Sequence, residues 1–186
     1  MDAFREGVWD AVPADAQPEA FERRRRWLLA RVAPGAKVLD VGCGDGAFAA
    51  ELLAAGATVI GVDVAESALA RARVRAPRAD LRLAREGEPL PIDNGWADVV
   101  WAGETLEHVV DPAGLLADIR LALRPGGELL ATTPAHGPLL TRTARLDPRS
   151  DHLRFFTRRS LRWLLAPHFG NISVRRSGGR FYACAS

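Results

Sequence analysis

The segment Val38-Leu39-Asp40-Val41-Gly42-Cys43-Gly44-Asp45-Gly46 constrains this chain more than any other. Its apolar start reads as a short buried strand. Three glycines at alternate positions then let the backbone turn tightly and approach a ligand with no Cβ in the way. Ala47 to Ala55, carrying Phe48, Leu52 and Leu53, reads as the next helix, ended by Gly56. Such a helix start presents free N–H groups to whatever sits over the turn. In open α/β sheets, ligands bind at the carboxyl ends of the strands, where this turn lies.

The rest of the chain repeats the alternation. Apolar runs at 58–62, 81–84, 97–102 and 128–133 read as strands, and 66–75 as a helix. Asp111-Pro112 has the cap-then-proline start of a helix reaching Leu123, and Thr157 can cap another reaching Ala166. Asn171 to Arg176 and Arg180 to Ala185 read as two strands joined by Ser177-Gly178-Gly179. The sum is an α/β fold: a doubly wound, mainly parallel seven-stranded sheet with helices on both faces and an antiparallel last strand. Residues 1–33 read as an N-terminal helical cap, in which Arg23 to Arg26 form a solvated face. Residues 34–186 read as the ligand-binding domain, in one globular unit with the cap.

Composition excludes several classes. The 25 Lys+Arg and 23 Asp+Glu leave a net charge of +2, too little for a general nucleic-acid binder. All the basic residues except Lys37 are arginine, which reads mostly as genome composition. Two distant cysteines, Cys43 and Cys184, make no disulfide framework and no metal motif. No run approaches the roughly 18 apolar residues of a membrane span. Met1 to Glu6 lacks a signal-peptide pattern, so the expected location is the cytoplasm.

Two acids refine the ligand. Asp63, at the end of the second strand, can accept both hydroxyls of a ribose, or cap the helix behind it. Gly42 to Ala47 also fits the loose glycine pattern of dinucleotide sites. Asp40 and Asp45 in the loop would repel a pyrophosphate, whereas a cationic ligand with an amino-acid tail would not be repelled.

Asp40 to Gly46, with Asp63, Leu90-Pro91, Trp96 to Val100, Leu106-Glu107-His108 and Leu123 to Gly127, resembles the class I S-adenosylmethionine-dependent methyltransferases. The motifs occur in that family's order, over about residues 36–176. The resemblance implies the Rossmann-like methyltransferase fold, with S-adenosylmethionine as cofactor of domain 34–186. It implies that Gly42, Cys43, Gly44 and Gly46 lie against the methionine and ribose. Asp40 would serve the methionine ammonium and Asp63, with the following Val64, the ribose. Glu86, with Gly87, is the best match to the adenine contact, and the Ala102-Gly103 backbone would complete the methionine site.

Glu104, Glu107 and His108 follow the fourth strand, and His152 lies in the long connection after the fifth. In one helical turn the first three share a face. The pattern resembles the metal-binding residues of small-RNA 3′-terminal 2′-O-methyltransferases and quinone O-methyltransferases. It implies a divalent metal on Glu104, Glu107, His108 and His152. Alternatively His108 or His152, with Glu107 beside it, is a metal-free base, or the segment is structural. Arg142, Arg145, Arg149 and Arg154 could recognise an anionic acceptor, and Phe4, Trp9 and Trp27 could form an aromatic lid.

The expected function is methyl transfer to a small acceptor, at oxygen. The alternatives are a metal-dependent RNA 3′-end 2′-O-methyltransferase, an NAD-dependent oxidoreductase and a non-catalytic S-adenosylmethionine-binding module. A nucleic-acid or membrane partner is not expected.

Overall fold

The structure, a computed structural model, describes residues 9, 12–13, 16–136 and 152–186. Phe4, Arg142, Arg145 and Arg149 lie outside the described residues, as does most of the expected helical region before residue 16. The elements in chain order are α1 (Phe21–Leu29), β1 (Lys37–Val41), α2 (Ala47–Ala54), β2 (Thr58–Asp63), α3 (Glu66–Arg75) and β3 (Asp80–Leu83). They continue with β4 (Ala97–Gly103), α4 (Pro112–Ala122), β5 (Leu123–Pro134), α5 (Arg158–Leu165), β6 (Ile172–Ser177) and β7 (Arg180–Ala185).

The seven strands form one sheet in the order β3-β2-β1-β4-β5-β7-β6. β3, β2, β1, β4 and β5 are parallel neighbours, while β7 runs antiparallel to both β5 and β6. The order reverses at β1 and β4, which opens a crevice at their carboxyl ends. That is where the glycine turn leaves β1.

The caps follow the sequence. Asp111 accepts a hydrogen bond from Gly114 N at α4, and Thr157 and Ser160 form a reciprocal capping box at α5. α4 stops at Ala122, and the chain passes directly into β5 at Leu123 rather than at Glu128. Leu123 pairs with Ala97, and the ladder shifts register before Val99 pairs with Glu128. Pro125-Gly126-Gly127 falls in that irregular stretch.

Side chains of β1 alternate between two apolar layers. Leu39 and Val41 join α4 and α5 on one face. Val38 joins Phe48, Leu52, Val59, Trp101 and Leu28 of α1 on the other. Asp40, two residues after Val38, lies on the α1 side. Trp101, 1% exposed, fills the core there. Its ring meets Phe48 at 5.1 Å and Trp27 at 6.2 Å between centroids, and Trp27 meets Tyr182 at 5.1 Å. Trp27 is therefore packed between helix and sheet.

One arginine of the run departs from the expected solvated face. Arg24 is 2% exposed. Its Nε donates to Thr132 Oγ1 at 3.1 Å and its Nη1 to the Glu19 carbonyl at 3.4 Å. The guanidinium lies over Phe48 at 4.7 Å and near Trp101 at 5.6 Å. Period 3.6 places residue 24 on the same stripe as the buried Leu28, so burial of that stripe carries the cation inward with it.

Candidate active site

The glycine loop is stitched to β2. Gly42 N and Cys43 N both donate to the Val62 carbonyl, at 2.8 and 3.0 Å. Asp63 Oδ2 accepts from Gly44 N at 2.9 Å, and Oδ1 accepts from Ala65 N at 3.0 Å. Asp63 thus shapes the loop and the turn into α3. Gly46, at φ 79, starts α2 in the left-handed region; a Cβ there would stand 3.1 Å from Ala72 of α3.

Asp45 is spent within the fold. Its Oδ1 accepts from Ala47 N at 3.2 Å, and Oδ2 pairs with Arg75. The expected repulsion of a pyrophosphate by Asp45 is neutralised by that arginine. Cys43 turns into the core beside Gly61, and burial pushes its thiol pKa up.

A cavity of about 960 Å³ opens over the loop. It runs from Trp9, Gly42 and Gly44, past Asp63, Val64, Glu86 and Gly87, to Glu104 and His108. The edge of the Trp9 indole lies where any side chain on residue 44 would project. Arg71 Nη1 donates to the Val12 carbonyl at 2.7 Å, which ties this N-terminal stretch to α3. Of the three proposed lid aromatics, Trp9 alone among the described residues stands at the cavity.

Beneath the cavity lies a cluster of buried charge. Asp40 is 2% exposed, and its Oδ2 has no hydrogen-bond partner among the described residues. Burial, then the neighbouring Asp63, pushes its pKa up to about 7, against the opposing pull of Arg24. Glu107 is 1% exposed, and neither of its oxygens has a hydrogen-bond partner among the described residues; Thr133 lies beside it without closing a hydrogen bond. Burial, then Glu104, pushes it up to about 8. Arg24 is the cation these acids share, and burial lowers its own pKa. It reaches them beside Gly103, where a Cβ would stand 2.5 Å from Arg24 Nη2.

Glu104 departs from the expected metal set. The segment does not continue as a helix: Glu104 has φ 59, and residues 106–108 form a turn. Its Oε2 accepts from Arg180 Nε at 3.1 Å, and Arg180 also pairs with Glu19. Glu107, His108 and His152 do come together, with one ligand atom of each within 4.8 Å of the others. The His108 and His152 rings meet edge to face at 4.8 Å between centroids.

Sequence reasoning missed two neighbours of this group. His136 stacks edge-on to Phe155 at 4.9 Å, and Phe155 meets His152 at 6.0 Å. Burial, with His152 adding to it, lowers the His136 pKa. Arg154 is a clamp rather than an anion receptor. It donates to the carbonyls of Val109 and Val110, while Leu153 N and Arg154 N both donate to the Glu107 carbonyl, at 2.8 and 3.1 Å. The spacing of residues 108 and 152 carries no signal of this closure.

Residues 14–168 match the model of a family described as a methyltransferase domain. The chain belongs to that family. The methyltransferase domain places it in the class I S-adenosylmethionine-dependent superfamily, with which the loop and sheet order agree. The ubiquinone biosynthesis O-methyltransferase of Thiobacillus denitrificans is 40% identical over 116 residues, covering 59% of this chain and 50% of its own length. The chain spans about half the length of the curated relatives it matches. Among solved structures, a SAM-dependent methyltransferase from Aquifex aeolicus superposes with TM-score 0.71 at 18% identity, covering all of this chain and 98% of its own. The PH0226 protein of Pyrococcus horikoshii gives 0.77 at 18%, covering 96% and 97%. At that identity the likeness shows the fold alone. No helix among the described residues is long and apolar enough to cross a membrane.

Proposed function

We propose that this methyltransferase domain binds S-adenosylmethionine over the glycine loop and methylates a hydroxyl of a small acceptor. One observation carries the reading. A single cavity joins the loop at Gly42 and Gly44 to the imidazole of His108, so cofactor and acceptor can share one cleft.

The residues present fit the cofactor. Its methionine end is a zwitterion, which calls for an acid and a base side by side. Asp40, with an orphaned buried Oδ2, answers the ammonium, and Arg24 answers the carboxylate. The Gly103 backbone, beside the Arg24 guanidinium, would line the methionine. Asp63 and Val64 hold the ribose edge, and Glu86 with Gly87 the adenine. When bound, S-adenosylmethionine supplies an electrophilic methyl: its C–S bond breaks as a C–O bond forms, and sulfur keeps the electron pair. The domain aligns the two reactants and excludes water. His108, paired with His152, takes the hydroxyl proton at a ring nitrogen, while Glu107 beneath them steers that pair. The relatives named ubiquinone biosynthesis O-methyltransferase support oxygen as the acceptor atom.

A metal is the second reading, favoured by the proximity of Glu107, His108 and His152. Those three would hold it, without Glu104. It would supply Lewis acidity toward an acceptor oxygen.

Calorimetry tests the first reading with S-adenosylmethionine, S-adenosylhomocysteine and NAD. Binding of the first two in the micromolar range is expected. NAD binding alone would sink it. Turnover of a panel of hydroxylated small molecules, read as S-adenosylhomocysteine formed, tests the acceptor class. Loss of turnover with a chelator, restored by a divalent ion, would select the metal reading.

A further inference from the structure

Glu104 holds a left-handed backbone at φ 59, which few non-glycine residues adopt. Such strain persists where the surroundings over-determine it, and it gathers at functional sites. Here the surroundings are specific. Glu104 N donates to the Thr132 carbonyl at 2.9 Å, and Arg180 Nε donates to Oε2 at 3.1 Å. The side chain is 16% exposed. Its other oxygen, Oε1, is buried and takes no hydrogen bond from the described residues. A buried oxygen left without a donor calls for an explanation.

Position and charge supply one. Glu104 lies on the wall of the cavity that also carries Gly42, Gly44 and His108, and the next residue, Thr105, donates from its hydroxyl to the Val41 carbonyl at the glycine loop, at 2.9 Å. A methyl group passing from cofactor to acceptor has to cross that cavity. Glu104, Arg180 and Glu19 form a chain of ion pairs with a net charge of −1, and the Arg24 guanidinium beside Glu104 is divided among Glu104, Glu107 and Asp40. The cofactor brings two cationic groups. Its ammonium has N–H bonds and needs acceptors, which Asp40 offers. Its sulfonium has none, and needs only a negative charge nearby. A carboxylate whose one oxygen is held by Arg180, and whose other takes no hydrogen bond from the described residues, meets that requirement.

Building on the cofactor reading, we infer that Glu104 is the counter-charge of the cofactor's sulfonium, positioned by Arg180. It makes the site favour the charged cofactor over its neutral thioether product. As the sulfonium loses its charge on methyl transfer, the attraction ends, and the product is released the more readily.

Calorimetry on the full chain at pH 7.5 tests this with three probes. S-adenosylmethionine and sinefungin carry a positive charge at the reacting centre; S-adenosylhomocysteine does not, and all three share the ammonium. Glu104→Gln is expected to weaken the two charged probes by about tenfold or more, and the thioether by less than about threefold. Glu104→Asn, which adopts the left-handed backbone readily, gives the same selective loss should the glutamine variant fold poorly. Glu19→Gln removes a charge on a side chain that is 84% exposed and screened by solvent, and shifts the ratio between probes less than Glu104→Gln does. An equal loss for all three probes, or no loss, overturns the inference, since a structural role or an ammonium contact would produce it. If the unaltered chain binds none of the probes, the cofactor reading fails first and takes this inference with it.

Discussion

His108 and His152 approach to 4.8 Å between ring centroids although they come from opposite ends of the site's chain path. What joins them is the backbone of the turn after β4. Arg154 donates to the carbonyls of Val109 and Val110, and two amides beside it donate to that of Glu107.

Replacing Arg154 with methionine should therefore separate the imidazoles. Methyl transfer is expected to fall at least tenfold while cofactor affinity stays within about twofold, because the glycine loop is untouched. Hydrogen exchange at the Leu153 and Arg154 amides, with calorimetry alongside, checks both halves. Unchanged exchange with full activity would show that the clamp is dispensable.

Gly103→Ala inserts a methyl 2.5 Å from Arg24 Nη2 and from the Trp101 ring. Neither neighbour has room to retreat, since Trp101 is 1% exposed and Arg24 is 2% exposed. Overpacking of this kind costs about 1–3 kcal/mol. A Tm lower by roughly 3–10 °C is expected in thermal unfolding. A Tm within a degree of the parent would mean that the buried arginine yields easily.

Arg24→Met keeps the stem and removes the charge that Asp40, Glu104 and Glu107 share. Breaking a buried pair costs on the order of 3–5 kcal/mol. The loss should be larger at pH 8.5 than at pH 6, because Asp40 and Glu107 ionise near pH 7 and 8 and then lack a cation. Urea midpoints at the two pH values measure it. A loss independent of pH would assign Arg24 a packing role alone.

Asp40 makes the pH dependence of the empty site run in an unusual direction. Its folded pKa, about 7, lies above the ordinary aspartate value of 3.8. Between those values the folded state holds the extra proton, so this residue's contribution to stability falls as pH rises from 4 to 7, then levels off. Relative to Asp40→Asn, the parent should lose up to ~4 kcal/mol across that window. A bound ammonium reverses the preference. Cofactor binding near pH 6 is then expected to release a proton, which calorimetry in buffers of different ionisation enthalpy detects. No proton release at that pH would remove Asp40 from the ammonium site.

The elements of this fold are legible in the sequence because their signals are local. Glycine at 42, 44 and 46, the Asp111-Pro112 start and the Thr157 cap each act within a few residues of chain. The hairpin of β6 and β7 is readable from Gly178-Gly179 for the same reason. Arg24 was not readable. Nothing in the run Arg23 to Arg26 says which member turns inward; the decision rests on Thr132 and Trp101, more than seventy residues away. The contacts of Glu104 were illegible for a similar reason. The motif spacing is present, but a left-handed backbone and an arginine from the far end of the chain redirect the side chain. Arg154 looked like an anion receptor because a sequence does not show which carbonyls lie within its reach.

β7 separates β5 from β6 and brings Arg180 to Glu104. During synthesis the other half of the site emerges first: the glycine loop, Asp63 and the turn at Glu107 all precede it. Until residue 180 arrives, Arg24 is the one cation among the described residues that balances Glu104 and Glu107, and β5 exposes an open edge. The nascent domain therefore reaches its finished charge balance and closes its sheet in one late event. A ribosome-bound chain halted before that strand should present a loop with the right shape but no competence to hold its ligand.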